Sequence, residues 1–430
     1  MAPNTAEKMT ARAWLASWIE TLQSIDDPLA LMTDTMKRGV GGVLEGKALP
    51  REAAYRLLEA TPRELPALCK AAAIVRDWGK GRIISFSPKV FIPLTRLCRD
   101  VCGYCTFRQS PAESERLYMS LEEVLAVARA GAELGCVEAL FTLGERPEQR
   151  YPEAKAWLHQ RGYRTTLEYL RVACEAVLRE TSLLPHGNPG TMSRKEMERL
   201  QDVNASMGMM LESVSQRLCE PGGPHQFAPS KWPALRMKTL EIAGELRVPF
   251  TTGILIGLGE TLEERLESLL AIRELHRRHG HLQEVIIQNF RAKSHTPMSR
   301  RPDPIVEDLL WTVAAARLIL GPDVNLQVPP NLSAKEYPIF LLAGINDWGG
   351  ISPLTIDYVN PEAPWPQIAV LRQQTEALGF ALRPRLPVYP EYIVERDDYL
   401  PLSLKERIKS TADGAGYVKG GIERYAGTSG

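Results

Sequence analysis

Three cysteines lie within ten residues of this 430-residue chain, in the stretch "CRDVCGYCTF". Cys98, Cys102 and Cys105 are separated by three and by two residues, which places three thiolates on one loop. A structural zinc site takes four ligands, and a ferredoxin-type cluster takes four cysteines. The remaining cysteines stand singly along the sequence: Cys69, Cys136, Cys174 and Cys219. Three thiolates on a [4Fe-4S] cluster would leave one iron open to an external ligand, and the missing fourth cysteine favours this chemistry.

The composition narrows the class of protein that carries this loop. Lys+Arg and Asp+Glu are equal at 52 each, so no overall positive charge attracts nucleic acid or an anionic membrane. A small or neutral ligand fits better. The odd number of cysteines, seven, argues against a disulfide framework. The first residues, "MAPNTAEKMTARAWLASW", lack the continuous apolar core of a secretory signal, so we expect a cytoplasmic protein.

Short apolar runs alternate with longer helical patterns from residue 83 onward. The runs predict eight strands: KVFIPLT (89–95), VEALFTL (137–143), SLLPH (182–186), ASMGMML (205–211), PFTTGILIG (249–257), EVIIQNF (284–290), VNLQV (324–328) and LLAGIND (341–347). Alternating strands and helices are typical of a parallel sheet, and eight such units predict an α/β protein with a (βα)8 TIM-type barrel. Ligands bind such barrels where the strands end, so the cysteine loop is expected at the barrel mouth.

The sequence outside this region predicts two extensions. Apolar residues at helical spacing indicate a helical N-terminal extension over residues 1–82, followed by the barrel over 83–384 and a C-terminal extension and tail over 385–430. The glycine-rich end, 414–430, is expected to be mobile. The stretch "HRRHGH" (276–281) is expected to form a solvated helix end rather than a metal site.

The motif CxxxCxxC, with the aromatic Tyr104 directly before its last cysteine, resembles the signature of the radical S-adenosylmethionine (SAM) enzymes. The resemblance implies that Cys98, Cys102 and Cys105 bind a [4Fe-4S] cluster. It also implies that SAM binds the open iron through its amino and carboxylate groups. Both cofactors are therefore expected in this chain.

Later strands carry residues that match further cofactor motifs of these enzymes. Gly144 and Glu145 stand where the family has GGE, whose backbone carbonyls receive the amino group of SAM; Leu143 replaces the first glycine. Glu212 follows the fourth strand, where the family contacts the ribose hydroxyls or the amino group. The alternative for Glu212 is an exposed loop glutamate.

The fifth strand and its loop match the pattern GxIxGxxE, which approaches the adenine in the family, with leucine for isoleucine. The matching residues are Gly253, Leu255, Gly257 and Glu260. Glu260 is equally compatible with an acidic residue in the first turn of the next helix, where the helix dipole favours it.

The wider sequence is similar to one family of radical SAM enzymes, subunit 1 of 7,8-didemethyl-8-hydroxy-5-deazariboflavin synthase. "FIPLTRLCRDVCGYCTFRQ", "FTLGERPE", "MLESVS", "TTGILIGLGET" and "GINDWGGISPLT" carry the resemblance, which covers roughly residues 83–384. It implies a carbon–nitrogen lyase of coenzyme F-420 biosynthesis that cleaves SAM reductively. The lyase closes the ring of a ribitylaminouracil–hydroxybenzyl adduct and releases ammonia. It further implies a separate partner radical SAM subunit and an external reductant such as ferredoxin or flavodoxin.

Polar residues at the remaining strand ends are candidates for substrate contacts, since a polyhydroxylated ligand needs hydrogen-bond partners when it is buried. They are His186, Asn188, Gln288, Asn289, Asn346 and Asp347. Each can instead stabilise a loop. Two other functions remain open: a different radical SAM reaction on the same barrel, such as that of the partner subunit or a menaquinone-pathway relative, and a non-catalytic iron–sulfur electron carrier.

Overall fold

The structure is a computed structural model that describes residues 10–425. Its centre is a barrel of eight parallel strands: β1 (Ile83–Thr95), β2 (Glu138–Leu143), β3 (Leu184–Asn188), β4 (Ser206–Gly208), β5 (Phe250–Ile256), β6 (Leu282–Asn289), β7 (Leu326–Gln327) and β8 (Asp347–Ile351). Successive strands pair in parallel, and β1 pairs with both β2 and β8, so the sheet closes on itself. The predicted (βα)8 TIM-type barrel is confirmed.

Helices surround the barrel and connect its strands. They are α5 (Leu121–Glu133), α6 (Pro152–Gln160), α7 (Thr166–Glu180), α8 (Arg194–Leu200), α9 (Pro233–Glu245), α10 (Leu262–His279) and α11 (Val306–Leu320). Ser120, Ser193 and Thr261 begin α5, α8 and α10 with capping boxes, in which the cap side chain and a glutamate three residues later satisfy each other's backbone N–H groups. These local signals fix where each helix starts.

Four helices precede the first strand: α1 (Ala11–Ser24), α2 (Asp34–Leu44), α3 (Arg51–Ala54) and α4 (Leu65–Lys80). They pack on the barrel through the same apolar core. The buried Arg76 of α4 donates hydrogen bonds of 2.8 Å to the carbonyls of Leu341 and Ile345. Trp311 of α11 donates to the carbonyl of Leu57. No helix in the described part of the chain is long and apolar enough to cross a membrane.

The eighth strand lies later in the sequence than predicted. Of the apolar run at 341–347, the first three residues end a 3-10 helix, Tyr337–Ala343, and the strand begins only at Asp347. Gly344 ends this helix with a φ of 106°, a conformation that glycine adopts readily. The run is apolar because it packs against α4 and the core. A short apolar run does not show whether the buried segment is a strand or a helix.

The C-terminal segment folds back onto the base of the barrel. It contains α12 (Ile368–Ala377), β9 (Ala381–Pro384), α13 (Pro390–Val394) and α14 (Lys405–Thr411). β9 pairs in parallel with the first half of β1. Val418 donates a hydrogen bond to the carbonyl of Pro384, and the buried Tyr425 packs on Phe86. The expected mobility is therefore wrong for 414–425, and residues 426–430 lie outside the described part.

Arg385, directly after β9, enters the lower end of the barrel. Its Nε lies 2.7 Å from Oδ2 of Asp347, and its guanidinium also lies 3.2 Å from Oε1 of Glu284. The Ser85 hydroxyl donates to the same Asp347 carboxylate. The arginine side chain is only 4% exposed and that of Asp347 is fully buried. These four residues, here called the basal charge layer, fill the barrel near the amino ends of its strands.

The end of α10 is less exposed than the sequence suggested. His281 is fully buried, and neither ring nitrogen has a hydrogen-bond partner. Burial, with the neighbouring His276 and His279, lowers the pKa of His281 to about 3. The expected solvated helix end is wrong for His281, which packs beneath the C-terminal segment that the sequence did not place there.

Candidate active site at the barrel mouth

The cysteine loop begins three residues after β1 and packs directly on the loop after β2. The backbone N–H of Glu145 donates a hydrogen bond of 3.1 Å to Sγ of Cys98. A Cβ at Gly144 would lie 1.9 Å from the carbonyl oxygen of Leu97 and 2.8 Å from Cβ of Cys98. Only glycine fits at this position, so the Gly144–Glu145 pair holds the first cysteine in place.

Two further loops hold the cysteine loop from above. Val101 and Gly103 donate backbone hydrogen bonds of 2.9 and 2.8 Å to the carbonyls of Phe227 and Pro224, in the long segment between β4 and α9. Gly103 in turn accepts from the N–H of Met298, which follows β6. The backbone around the three cysteines is therefore fixed by several separate segments.

The thiols lie in a partly enclosed, electrostatically mixed environment. Burial raises the pKa of the Cys98 thiol to about 12 and raises that of Cys102 well above its usual value. The Lys231 ammonium opposes the shift at Cys102. The thiols interact electrostatically with one another, as expected for side chains that face a common space. A cation must displace their protons to bind here.

These residues fit a [4Fe-4S] cluster better than a single metal ion. In the described part of the chain no three Cys, His, Asp or Glu side chains converge on one ion position. A cluster does not require convergence on one point, since each thiolate binds a different iron. The Glu145 N–H bond to Cys98 Sγ is a contact of the kind that tunes cluster potentials. The donor set thus suits the cluster, with SAM on the open iron.

A connected polar group lies beside the last cysteine. The Tyr104 hydroxyl is 3.0 Å from Nε2 of His225 and 3.4 Å from Oε2 of Glu212, and Lys231 forms an ion pair with Glu212. Burial opposes ionisation of Glu212, but Lys231 and Arg236 keep its pKa below the usual value. Glu212 adopts a φ of 70°, in the left-handed region, and the residue is only 8% exposed. The exposed-loop alternative for Glu212 is therefore wrong.

The glycine pattern of β5 lies next to this group. Gly253 closely approaches β6, where a Cβ would lie 2.2 Å from the carbonyl oxygen of Ile286. Leu255 belongs to a small apolar cluster against which Tyr104 packs. Glu260 lies just before the helix cap and accepts hydrogen bonds from the N–H groups of Gly257 and Gly259.

Glu260 therefore organises its own loop. Its carboxylate also pairs with Arg265 at 2.7 Å, and both side chains are almost fully buried. Because Thr261 is the cap of α10, Glu260 does not act as an acidic residue of the first helical turn. The carboxylate of Glu145 is likewise occupied, by the N–H and hydroxyl of Thr191. The carboxylates of both glutamates are therefore engaged within the protein, and only the backbone groups of their loops remain available to a cofactor.

An inner cavity of about 170 Å³ lies within the barrel. His186, Asn188 and Gln288 line it, at alternating positions of β3 and near the end of β6. The His186 ring hydrogen-bonds to Ser206, and burial lowers its pKa to about 4. A larger cavity of about 530 Å³ lies below, lined by residues such as Asn325 and Tyr389. We favour the inner cavity because ligands bind these barrels at the carboxyl ends of the strands.

Three other candidate residues do not line the inner cavity. Asn346 and Asp347 were expected after the eighth strand, but they stand at its start, and that prediction is wrong. Asn346 bonds to Arg317 and to the N–H of Leu326, and Asp347 belongs to the basal charge layer. Asn289 ends β6 with its Oδ1 buried and unpaired.

The sequence did not indicate several residues of the site. His225 and Lys231 lie in the long segment between β4 and α9, which has no periodic pattern. Lys89, on β1, and Gln327, on β7, also line the inner cavity. A charged residue inside a predicted buried strand was the available signal for Lys89, since burial of an unpaired charge is costly.

Comparisons with known proteins agree with this geometry. A model described as the radical SAM superfamily matches residues 92–272. The 7,8-didemethyl-8-hydroxy-5-deazariboflavin synthase of Methanopyrus kandleri is 54% identical over 337 residues, covering 78% of this chain and 100% of that protein. The FO synthase of Streptomyces avermitilis is 51% identical over 392 residues, covering 89% of this chain but 46% of that protein. This chain thus spans about half the length of the FO synthases that it matches.

Solved structures show the same fold. The [FeFe]-hydrogenase maturase HydG from Carboxydothermus hydrogenoformans superimposes with a TM-score of 0.65 at 20% identity, covering 86% of this chain and 84% of that chain. Methylornithine synthase (PylB) gives a TM-score of 0.63 at 18% identity, covering 80% of this chain and 97% of that one. At these identities the likeness concerns the fold alone.

Proposed function

The chain belongs to the deazariboflavin synthase family of the radical SAM superfamily, and from that premise we propose the reaction that it performs. It converts 5-amino-5-(4-hydroxybenzyl)-6-(D-ribitylimino)-5,6-dihydrouracil to 7,8-didemethyl-8-hydroxy-5-deazariboflavin. Ammonia, methionine and 5′-deoxyadenosine are released. The observation that carries this proposal is the joint presence of the three-cysteine loop, fixed by Gly144 and Glu145, and a polar cavity inside the same barrel.

The cofactors are a [4Fe-4S] cluster, with Cys98, Cys102 and Cys105 as ligands, and SAM. When bound, they supply a 5′-deoxyadenosyl radical that abstracts hydrogen from the substrate. The chain's own part is to position the reactants and exclude water. The segment between β4 and α9 covers the cysteine loop and supports this second role.

The residues around the loop suit SAM. The carbonyl of Gly144 is proposed to accept from its amino group, and Glu212 to bind the amino group or the ribose hydroxyls. Tyr104, Gly253, Leu255 and the Gly257–Glu260 turn form the surface for the adenine. Leu255 and Tyr104 belong to one apolar cluster, which suits an adenine face, and Glu260 holds the turn rather than the ligand.

His186, Asn188 and Gln288 are proposed to contact the substrate within the inner cavity. His186 is neutral at physiological pH because burial lowers its pKa to about 4, so its ring can accept or donate a hydrogen bond without carrying charge. Asn289, Asn346 and Asp347 are not included, since other residues occupy their side chains or they lie off the cavity.

Other proteins are needed to supply the substrate and the electron. We propose a partner radical SAM enzyme that makes the adduct and an external reductant such as ferredoxin or flavodoxin. The chain matches the whole of the Methanopyrus synthase but about half of each FO synthase, which supports a second activity in the unmatched part of those proteins. A cytoplasmic location is proposed because the seven cysteines, all in the described part of the chain, form no disulfide, and a reducing compartment keeps cysteines in this state.

The test is an anaerobic assay of the purified chain with the adduct, SAM and a reductant. Fluorescent deazaflavin and 5′-deoxyadenosine should form together. Deoxyadenosine formation with other substrates but never with this adduct would indicate a different radical SAM reaction. Replacing Cys98, Cys102 or Cys105 by alanine should abolish both the bound iron and the product. Cys174→Ala, a matched change in the buried face of α7, should retain both.

A further inference from the structure

The inner cavity contains polar atoms that no part of the protein satisfies. Lys89 is 7% exposed, and its Nζ has no ion pair or hydrogen bond within residues 10–425. Oε1 of Gln327 and Nε1 of Trp365 are buried without a hydrogen-bond partner. All three residues line the cavity. Since each unpaired buried group costs about 1–3 kcal/mol, their presence together points to a ligand that pairs with them.

Two adjacent glycines of β8 make room for these side chains. A Cβ at Gly350 would lie 2.3 Å from Cδ and 2.5 Å from Nζ of Lys89. A Cβ at Gly349 would lie 2.3 Å from Nε2 of Gln327. The lysine and glutamine ends therefore occupy the space that side chains on β8 would otherwise fill, and both are held against one wall of the cavity.

The charged groups that face Lys89 have partners of their own. Glu138, Glu284 and Asp357 attract the ammonium, and Arg385 repels it. Glu138 is bound by Ser87, Glu284 by Thr251 and Arg385, and Asp357 by Asn331 and Asn360.

The rest of the surroundings of Lys89 are aromatic. Its Nζ lies 4.9 Å from the Trp365 ring centroid and 5.7 Å from that of Phe91. Burial lowers the pKa of Lys89, although the nearby carboxylates oppose this. Nζ of Lys89 carries N–H groups whether or not it is charged, so this residue of the cavity lining can donate hydrogen bonds to a ligand.

We propose that Lys89, Gln327 and Trp365 bind the imide edge of the pyrimidine ring of the substrate. A uracil-type ring presents carbonyl, N–H and carbonyl in a row, that is, acceptor, donor and acceptor. The ammonium of Lys89 and the indole N–H of Trp365 donate, and Oε1 of Gln327 accepts. This inference rests on the proposed function. It also orients the substrate, with the imide deep in the cavity and the ribityl and hydroxybenzyl groups toward Asn188, Gln288 and the mouth.

The first experiment changes the ligand and leaves the protein intact. The full chain, anaerobic and loaded with the cluster but without SAM, is titrated with the fluorescent deazariboflavin and with its N3-methyl analogue. The methyl group removes the N–H that Gln327 accepts, so the analogue should bind about 10–100-fold more weakly. Equal affinity for the two compounds, or no measurable binding of the parent compound, would overturn the proposal.

The second experiment changes the protein. Lys89→Met should weaken deazariboflavin binding by about 10–100-fold and raise the KM for the adduct, without changing the affinity for SAM. Gln327→Leu should abolish discrimination against the N3-methyl analogue. Gly350→Ala, which displaces the Lys89 end without removing its charge, should give a smaller loss. Lys37→Met, an exposed change on α2, is the control and should bind normally.

The outcomes separate this inference from the proposed function. If the wild-type chain forms deazaflavin but Lys89→Met and Gln327→Leu bind the product as the wild type does, the imide site is wrong and the function stands. If the wild-type chain forms no deazaflavin from the adduct, the function itself fails. If a variant does not fold, the first experiment still tests the imide site, because it compares deazariboflavin with its N3-methyl analogue on the wild-type chain.

Discussion

Replacement of Arg385 by methionine is expected to cost about 3–5 kcal/mol of unfolding free energy, because it leaves two buried carboxylates without their cation. Asp347 is fully buried and the Glu284 side chain is 7% exposed, so water cannot replace the guanidinium. With a urea slope of about 3 kcal/mol/M, the unfolding midpoint should fall by about 1–2 M. Far-UV circular dichroism during anaerobic urea unfolding measures this midpoint.

Two controls make the interpretation specific to the basal charge layer. Arg383→Met removes a partly exposed ion pair with Asp413 and should cost less than about 1 kcal/mol. Adding Asp347→Asn and Glu284→Gln to Arg385→Met should restore most of the lost stability, since neutral groups need no cation. If Arg385→Met costs no more than Arg383→Met, or the triple variant is no more stable than the single one, the argument for this layer is refuted.

Three further changes test other parts of the structure. Gly144→Ala should displace the cysteine loop and lower the iron bound per chain, whereas Gly414→Ala, where a Cβ meets open space, should bind iron normally; equal iron contents would contradict the close contact. Glu260→Gln should weaken SAM binding and lower the unfolding free energy by about 2–4 kcal/mol, since Arg265 and the amides of Gly257 and Gly259 lose their carboxylate; calorimetric titration and urea unfolding measure the two effects. His281 has a folded pKa of about 3, below its unfolded pKa of about 6.5. Burial of the neutral ring therefore costs no stability above about pH 6.5, and the folded state loses stability as the pH falls from there toward 3. His281→Leu should reduce the slope of stability against pH in this window by up to about 1.4 kcal/mol per pH unit, and an unchanged slope would show that His281 does not titrate there.

The fold was predictable from sequence where one local pattern determined one element. The apolar runs of β1 to β7 and the capping boxes at Ser120 and Thr261 are signals of this kind. The run at 341–347 misled because a buried 3-10 helix and a buried strand are equally apolar. β9 was missed because its four residues lie beside a proline-rich stretch and pair only with the distant first half of β1.

The candidate site was predictable only where its residues form a motif. Gly144 is required by a contact with Leu97, and the motif places it correctly. Lys231 and His225 join the site through a loop whose path depends on contacts with the cysteine loop, which local sequence does not encode. Asn346 and Asp347 were misplaced for another reason. The eighth strand begins at Asp347 rather than ending there, so these two polar residues lie at the base of the barrel and not at the expected mouth.

The basal charge layer also affects the kinetics that the enzyme can show. Arg385, Asp347, Glu284 and Ser85 occupy the lower end of the barrel, so we expect ligands to enter the inner cavity from the opposite end, where the cysteine loop lies. A pyrimidine that binds against Lys89 must therefore arrive before SAM covers that entrance, and the finished deazaflavin must leave after the fragments of SAM. Such an enzyme obeys an ordered rather than a random sequence of binding and release, and excess SAM should act as a substrate inhibitor competitive with the adduct.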